Sequence, residues 1–473
     1  MPEPDAARHL LTALWADLDG PAELAEAVAI GGPSAVLPSV FDVTGFATAC
    51  AGAAAAAVGE LAAARTGGTV PAASVDRLAA SASFRFEGVM APEGWELPPI
   101  WDPVAGDYES AFGWIRLHTN YRHHLEAVCS VLGVPADRAT VAAEVMRWRA
   151  DELEQAVVEA GGCAAALRTG AEWDAHPAGL ASAAERPVVI GAPVPISGGT
   201  GPDLSAPGGS APLAGIRVLD LTRVIAGPVA TRYLAAHGAD VVRIDPPGFD
   251  EVPALLPEAT AGKRCASLDL RAEPDRERFR ALVASAHVVV GGLRPGALDA
   301  LGFGVEGLRA INPSLVTVAH DAYGWSGPWA ARRGFDSLVQ MSTGIAAAGA
   351  AAAGIDRPTP LPAQALDHGV GHLLAAAACR ALTRLAVEGT TADVRGSLVG
   401  AANVVRSVPV PEGGASVAPS GATVADAPTE VVDTAWGRLR HAPLAGRVAG
   451  HAPRWAIPAG PLGRHEPRFA STP

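Results

Sequence analysis

Between residues 213 and 320 the chain alternates short apolar runs with longer amphipathic stretches. "IRVLDL" (216–221), "DVVRI" (240–244), "HVVVGG" (287–292) and "SLVTVAH" (314–320) are rich in β-branched residues and bounded by turn formers, so each predicts a strand. Between them, "AGPVATRYLAAHG" carries Pro228 at a helix start and Gly238 at its end. "EPDRERFRALVASA" (273–286) has the spacing of an amphipathic helix, and "GALDALGFGVEGLRAINP" contains another. Strands that alternate with helices predict an α/β fold, a doubly wound parallel sheet covered on both faces. Such a sheet binds ligands at the carboxyl ends of its strands.

The pattern changes before residue 195. An Ala-rich helix is predicted over about 42–65. "FGWIRLHTNYRHHLEAVCSVLG" reads as a strand feeding a helix, and "ATVAAEVMRWRADELEQAVVEAGG" as one or two helices closed by Gly161 and Gly162. Together these make a smaller α+β unit. Two Gly/Pro/Ser-rich stretches, 195–212 and 408–428, read as flexible linkers. They divide the chain into 1–194, 213–407 and a tail, 429–473. "GFATACAGAAAAAVGELAAARTG" (45–67) and "DHGVGHLLAAAACRALTRLAVEG" (367–389) are equally long Ala-rich helices ending in Gly, a candidate internal repeat. Aligning their ends pairs Asp367 with Gly45, not with Asp42.

Composition narrows the function. Of 473 residues, 49% are hydrophobic but only 5% aromatic, so alanine carries the apolar count and closely packed helices are expected. A net charge of −13 would repel a phosphate backbone, which argues against nucleic acid as a partner. No apolar run suggests a membrane span, and the acidic start lacks the basic region of a signal peptide. Cys50, Cys129, Cys163, Cys265 and Cys379 are scattered and odd in number, with no CxxC. That fits a reducing, cytoplasmic setting without a disulfide framework or a zinc site.

Several motifs are weighed against plain readings. "GFGVEG" (302–307) is a literal GxGxxG, but it follows a helical stretch where a dinucleotide site needs a strand. His118, His123 and His124 cluster in "HTNYRHH" without a carboxylate at helical spacing, which reads as a wet surface or domain contact rather than a metal site. GxSxG, HExxH and Walker motifs are absent. Asp367 stands alone at the head of "DHGVGHLLAAAACRAL". It reads either as an N-cap or as a carboxylate that the helix dipole keeps ionised and available as a nucleophile. Gly369 and Gly371 beside it would let a thioester approach the backbone.

Four further words in order decide between these readings. "PLAGIRVLDLTRVIAGPVATRYLAAHGADVVRIDPPG" (212–248), "GKRCASLDLR" (262–271), "AHVVVGGLRPGALDALGF" (from 286) and "GWSGP" resemble the family III CoA-transferases, the CaiB/BaiF family. The likeness runs on through "PAQALDHGVGHLLAAAA", about 190 residues in all. It implies a Rossmann-like CoA-binding half with Asp367 as the catalytic nucleophile. CoA would be held by the turn at Ile225 and Ala226 and by the cations Lys263, Arg264 and Arg294. The activity implied is transfer of coenzyme A from an acyl-CoA thioester to a small carboxylic acid through an aspartyl intermediate. No permanent cofactor and no metal are implied, and a homodimer is expected. Residues 39–67 and 106–180 resemble the family's crossover helix and small domain, so the usual order is rearranged. Pro246, Gly291 and Gly292 depart from the family's common residues, and no glycine-rich loop is evident in the small domain. Phe335 stands where the racemase branch has a histidine; phenylalanine cannot move a proton, which argues for transfer over isomerisation. The competing expectations are an intramolecular isomerase or racemase-type enzyme of the same family and a catalytically weak CoA-binding subunit.

Overall fold

The computed structural model describes residues 5–196, 202–206, 211–408 and 421–470. Helix α1 (Val43–Thr66) is followed, much later, by a short strand β1 (Val188–Ile190). Then come β2 (Arg217–Leu221), α2 (Ala226–Ala236), β3 (Asp240–Asp245), β4 (Lys263–Ser267), α3 (Glu273–Ser285), β5 (Val288–Gly291), α4 (Val305–Ile311), β6 (Val316–Asp321), α5 (Asp336–Ser342), α6 (Ala365–Glu388) and β7 (Asp393–Ser397). The main sheet has the order β4-β3-β2-β5-β6-β7-β1, parallel except for the last strand. The chain therefore winds outward from β2 in one direction and then, from β5, in the other.

Alternation along each strand serves both faces. Val218, Val241, Val288, Val290, Val316 and Val318 point to one cluster with α1, α2 and α6. Leu219, Leu221, Val242, Ile244 and Val289 point to the other, against Phe279 of α3 and Leu308 of α4. The apolar runs are continuous because both faces are buried. The free edge of β4 is met by the tail: the His465 N–H donates to the Cys265 carbonyl at 2.9 Å, and the Cys265 N–H donates to His465 Nδ1 at 2.9 Å.

The smaller α+β unit forms around strands Gly106–Glu109, Trp114–Leu117 and Ala164–Ala166, all antiparallel, with helices Arg122–Leu132, Arg138–Val145 and Ala150–Glu159 packed on them. The expected boundary at 194 is crossed by two elements. β1 closes the main sheet against β7, and α1 packs along α6 within one apolar cluster. The linker 195–212 is pinned where it is described. Arg65 at the end of α1 donates to the carbonyls of Leu204 at 2.7 Å, Pro212 and Ala214 at 2.6 Å. Most of the second linker, 409–420, lies outside the described residues. The tail returns as a hairpin, Glu430–Thr434 with Gly437–His441, that adds Ala91–Glu93 as a third strand.

Helices α1 and α6 are both 24 residues long and end at glycines in the left-handed conformation, Gly67 and Gly389, each at φ 67. Both are apolar and long enough to cross a membrane by composition, but 89% and 83% of their most apolar windows are buried inside the protein. Their small residues let the backbones approach. A Cβ at Gly369 would lie 2.3 Å from the Phe46 ring of α1, and one at Gly371 would lie 2.6 Å from the Ala226 carbonyl of α2. These glycines therefore serve helix packing, not the approach of a ligand as expected from sequence. Gly369→Ala should overpack this contact and lower stability by about 1–3 kcal/mol. Chemical denaturation checks this, and adding Phe46→Leu should recover part of the loss.

Candidate active site

A cavity of about 880 Å³ opens at the carboxyl ends of the strands. One side is built by the segments after β2 (Arg223, Val224), β3 (Pro246–Phe249), β4 (Leu268–Arg271) and β5 (Gly292–Leu301). The other has His320–Ala322 at the end of β6 and Leu398 after β7. Tyr121, His123 and His124 from the smaller unit, together with Phe335, face it from above. Asp367 lines the same cavity. It sits where the winding reverses, as the sheet's topology requires of a ligand site.

Asp367 is not the N-cap of α6. Gln364 holds that position, and Asp367 lies in the first turn. The cap is supplied from elsewhere: Asp336, at the head of α5, is fully buried and its Oδ2 accepts the Asp367 N–H at 2.9 Å. It also accepts from the Leu366 N–H, and Gln340 donates to its Oδ1. It satisfies the orphan donors of α6, which leaves the Asp367 carboxylate without a hydrogen-bond partner among the described residues. By contrast, Asp42 caps α1 in the ordinary way, accepting the Gly45 N–H at 2.7 Å.

The expectation that the helix dipole keeps Asp367 ionised is corrected. Burial, and then the negative charge of Asp336, push its carboxyl well above the usual range. Burial also raises Asp336, to about 6, against the hydrogen bond it receives from Asp367. Desolvation and a like charge outweigh the dipole here. His368 and His372, one turn apart, are buried beside Phe84 and held on the neutral side by burial. The Nδ1–H of His372 donates to the His368 carbonyl at 2.8 Å.

The CoA-binding candidates separate in space. Ile225 precedes α2 without a side-chain cap, and Ala226 is its first residue; both are buried behind Val224. Arg294 is exposed on the cavity rim and has no ion-pair partner among the described residues. Arg264 lies outside the cavity lining and pairs with Asp240. Lys263 is fully buried under the sheet. Its Nζ donates to Asp220 at 2.8 Å, Thr231 Oγ1 at 2.7 Å and the Pro228 carbonyl at 3.2 Å. Burial would raise Asp220, but Lys263 and Arg243 outweigh it and hold that carboxyl far below its usual range. Lys263 therefore neutralises an internal carboxylate and presents nothing to the cavity. The glycine at 292 is explained by its neighbour, since a Cβ there would lie 2.3 Å from His320 Nε2. "GFGVEG" follows a single 3-10 turn, Asp299–Leu301, rather than a strand.

Of the histidines read as a wet surface or domain contact, His123 is exposed, while His118 and His124 sit at a contact with Phe335 of the other half. His118 and His124 are buried, and the His118 ring lies flat on Phe335 with centroids 3.6 Å apart and 3° between planes. Burial, then His124, hold His118 well below its usual pKa; burial lowers His124 to about 3. His124 Nε2 stands 3.6 Å from Cys163 Sγ. Among the described residues no three His, Cys, Asp or Glu side chains gather as a metal ion would need. Sequence reasoning missed Asp321, which lines the cavity and is raised by burial to about 7, and Glu251, whose Oε2 accepts the Val224 N–H. The only local signal for Glu251 is an acidic pair, Asp250 and Glu251, heading the apolar run "VPALLP".

Comparison with known proteins gives a resemblance over part of the chain. Residues 213–438 match the family model of CoA-transferase family III, and the chain resembles that family. Three relatives illustrate it. The acetyl-coenzyme A transferase nodX of Hypoxylon pulicicidum is 38% identical over 151 residues, which are 31% of this chain and 26% of that protein. The probable fatty acyl-CoA transferase Rv3272 of Mycobacterium tuberculosis is 35% identical over 184 residues, 36% of this chain and 46% of that one. A crystal structure of Rv3272 covers 42% of this chain and 56% of its own, at 33% identity and a TM-score of 0.38. The acetyl-CoA:oxalate CoA-transferase of Acetobacter aceti is 36% identical over 145 residues, 28% of this chain and 37% of that one. The chain thus matches between a quarter and a half of the length of these relatives.

Two expectations test the geometry. Asp336→Asn removes a negative charge while its amide oxygen can still accept the Asp367 N–H. The pH at which Asp367 ionises should therefore fall, and infrared titration of the carboxyl band checks it. Lys263→Met leaves Asp220 buried and unpaired, so stability should fall by about 3–5 kcal/mol. Urea unfolding measures that loss.

Proposed function

We propose that this protein transfers coenzyme A from an acyl-CoA thioester to a carboxylic acid, with Asp367 as the covalent nucleophile. The observation that carries the proposal is the Asp367 carboxylate itself, without a hydrogen-bond partner among the described residues, in the first turn of a helix whose Asp367 N–H is taken by Asp336, facing a large cavity. The strand order supports the finer reading of the sheet as doubly wound and Rossmann-like, with CoA across the switch point between β2 and β5. Arg294 is the cation this reading retains for the CoA phosphates. The burial of Lys263 removes it, and the Asp240 ion pair leaves Arg264 a lesser candidate. Free cysteines, four of the five buried, support a reducing, cytoplasmic setting.

The chemistry is written in balanced steps. An Asp367 oxygen attacks the thioester carbonyl; the C–S bond breaks, giving a mixed anhydride and CoA thiolate. The thiolate attacks the aspartyl carbonyl, the donor acid leaves as carboxylate, and Asp367 carries CoA as a thioester. An acceptor carboxylate attacks that thioester and releases the thiolate again. The thiolate then attacks the acceptor's acyl carbonyl, forming the new acyl-CoA and restoring Asp367. Each step exchanges one acyl bond for another, so no oxidant or external proton is required. Desolvation sets the pH dependence: the attacking form is the carboxylate, so the rate should rise with pH through the elevated range of Asp367. Phe335, stacked on His118, offers no proton carrier at that position, which favours transfer over racemisation.

The test is an adduct. The protein is incubated with a panel of acyl-CoAs and quenched with hydroxylamine, and its peptides are examined by mass spectrometry. A hydroxamate at Asp367, absent from Asp367→Asn, is expected, and its yield should increase with pH. CoA binding without any adduct across a broad panel would instead identify a non-catalytic CoA-binding subunit.

A further inference from the structure

One buried carboxylate outside the proposed chemistry joins three parts of the cavity wall. Glu251 follows the Pro246–Phe249 turn, and its side chain is fully buried. Its Oε1 accepts the Tyr121 O–H at 2.9 Å, from the segment that faces the cavity from above. Its Oε2 accepts the Val224 N–H at 3.2 Å, from the turn after β2, and Arg243 Nη2 at 3.0 Å, from β3. Arg243 also grips Asp245 at 3.0 and 3.2 Å, and Asp245 pairs with Arg223 at 3.0 Å. The carboxylate therefore ties the turn after β2 and an opposing aromatic side chain to strand β3.

The turn needs such a tie. Val224 has φ +62, the left-handed region that a β-branched residue adopts only when its surroundings impose it. Among the described residues Asp19 is the only other non-glycine residue with positive φ. Val224 leads directly into Ile225 and Ala226, at the uncapped start of α2. Loss of the Glu251 carboxylate would remove the acceptor of both the Val224 N–H and the Tyr121 O–H.

We propose that Glu251 is a positioning residue, which holds the Val224 turn and the Tyr121 wall in the arrangement that receives an acyl-CoA. The acyl-CoA part rests on the function proposed above; the holding of the turn does not.

Four variants test it: Glu251→Ala, Glu251→Gln, Val224→Gly and the Glu251→Ala/Val224→Gly pair. Amide hydrogen exchange in the full chain reads the turn directly. Glu251→Ala should speed exchange over 223–226 by about tenfold or more, the loss expected for a buried hydrogen bond. Glu251→Gln, whose carbonyl can still accept, should restore most of the protection. Glycine takes φ +62 without strain, so in the Val224→Gly background the same Glu251→Ala change should cost less than about threefold. In the adduct assay, KM for the acyl-CoA should rise about tenfold in Glu251→Ala with a smaller change in kcat, and partly recover in Glu251→Gln. Uniform loosening of β3 and its neighbours, with no excess at the turn and no rescue by Val224→Gly, would make Glu251 an ordinary buried ion-pair partner and overturn the proposal. Wild-type protein that neither binds CoA nor forms the adduct would overturn the function, while the exchange data would still decide the role of Glu251.

Discussion

The hydrogen bond from the Asp367 N–H to Asp336 sets the terms for the rest of the site. A helix start carries several backbone donors with no partner of their own, and the residues nearest in sequence usually supply the acceptor. In α6 the acceptor is a carboxylate from a different helix, buried and fixed by Gln340. That displacement of duty leaves Asp367 with its oxygens unengaged. The cost is electrostatic, because two carboxylates now share a dry environment and each resists ionising beside the other. α1 and α6 pack along each other through alanines and glycines, so the packing of these helices and the burial of Asp367 are one arrangement.

The parts legible in the sequence were local. β-Branched runs such as "DVVRI" gave their strands because both faces of the sheet are buried, and Gly389 marked the end of α6 because only glycine takes the left-handed turn without strain. Asp367 was legible through the order of words around it. What escaped was set by residues far apart in the chain. Asp336 lies 31 residues from the N–H it accepts. Lys263 reads as a surface cation until Asp220, 43 residues earlier, is found beneath the same sheet. The glycines after Asp367 resemble a binding loop until Phe46 of α1 and Ala226 of α2 are seen to occupy the space. His118 lay in a polar-looking run, and its burial depends on Phe335 arriving from the other half of the chain.

Several buried acids are paired with a cation. Asp220 with Lys263, Glu251 with Arg243 and Glu258 with Arg232 are each closed off with an opposite charge. Asp367 has no cation beside it, and its nearest charged neighbour has the same sign. Asp336 and Asp321 likewise form no ion pair among the described residues and are raised by burial, and Asp367 differs from Asp336 in lining the cavity.

The strand β1 carries a consequence for how the molecule is made. It belongs to the sheet only by pairing with β7, for instance Val188 with Gly396, about 200 residues later in the chain. At synthesis rates of about 5–20 residues per second, an emerging chain holds that segment without its partner for roughly 10–40 s. During this time Val188 and Ile190 are an open template for strand pairing with other nascent chains. The smaller α+β unit can bury its own apolar face much sooner, since its three strands all lie between 106 and 166. The order of the halves thus gives ribosome-bound chains a folded leading unit and an unsatisfied edge behind it, a state in which early chaperone contact would have the most to protect.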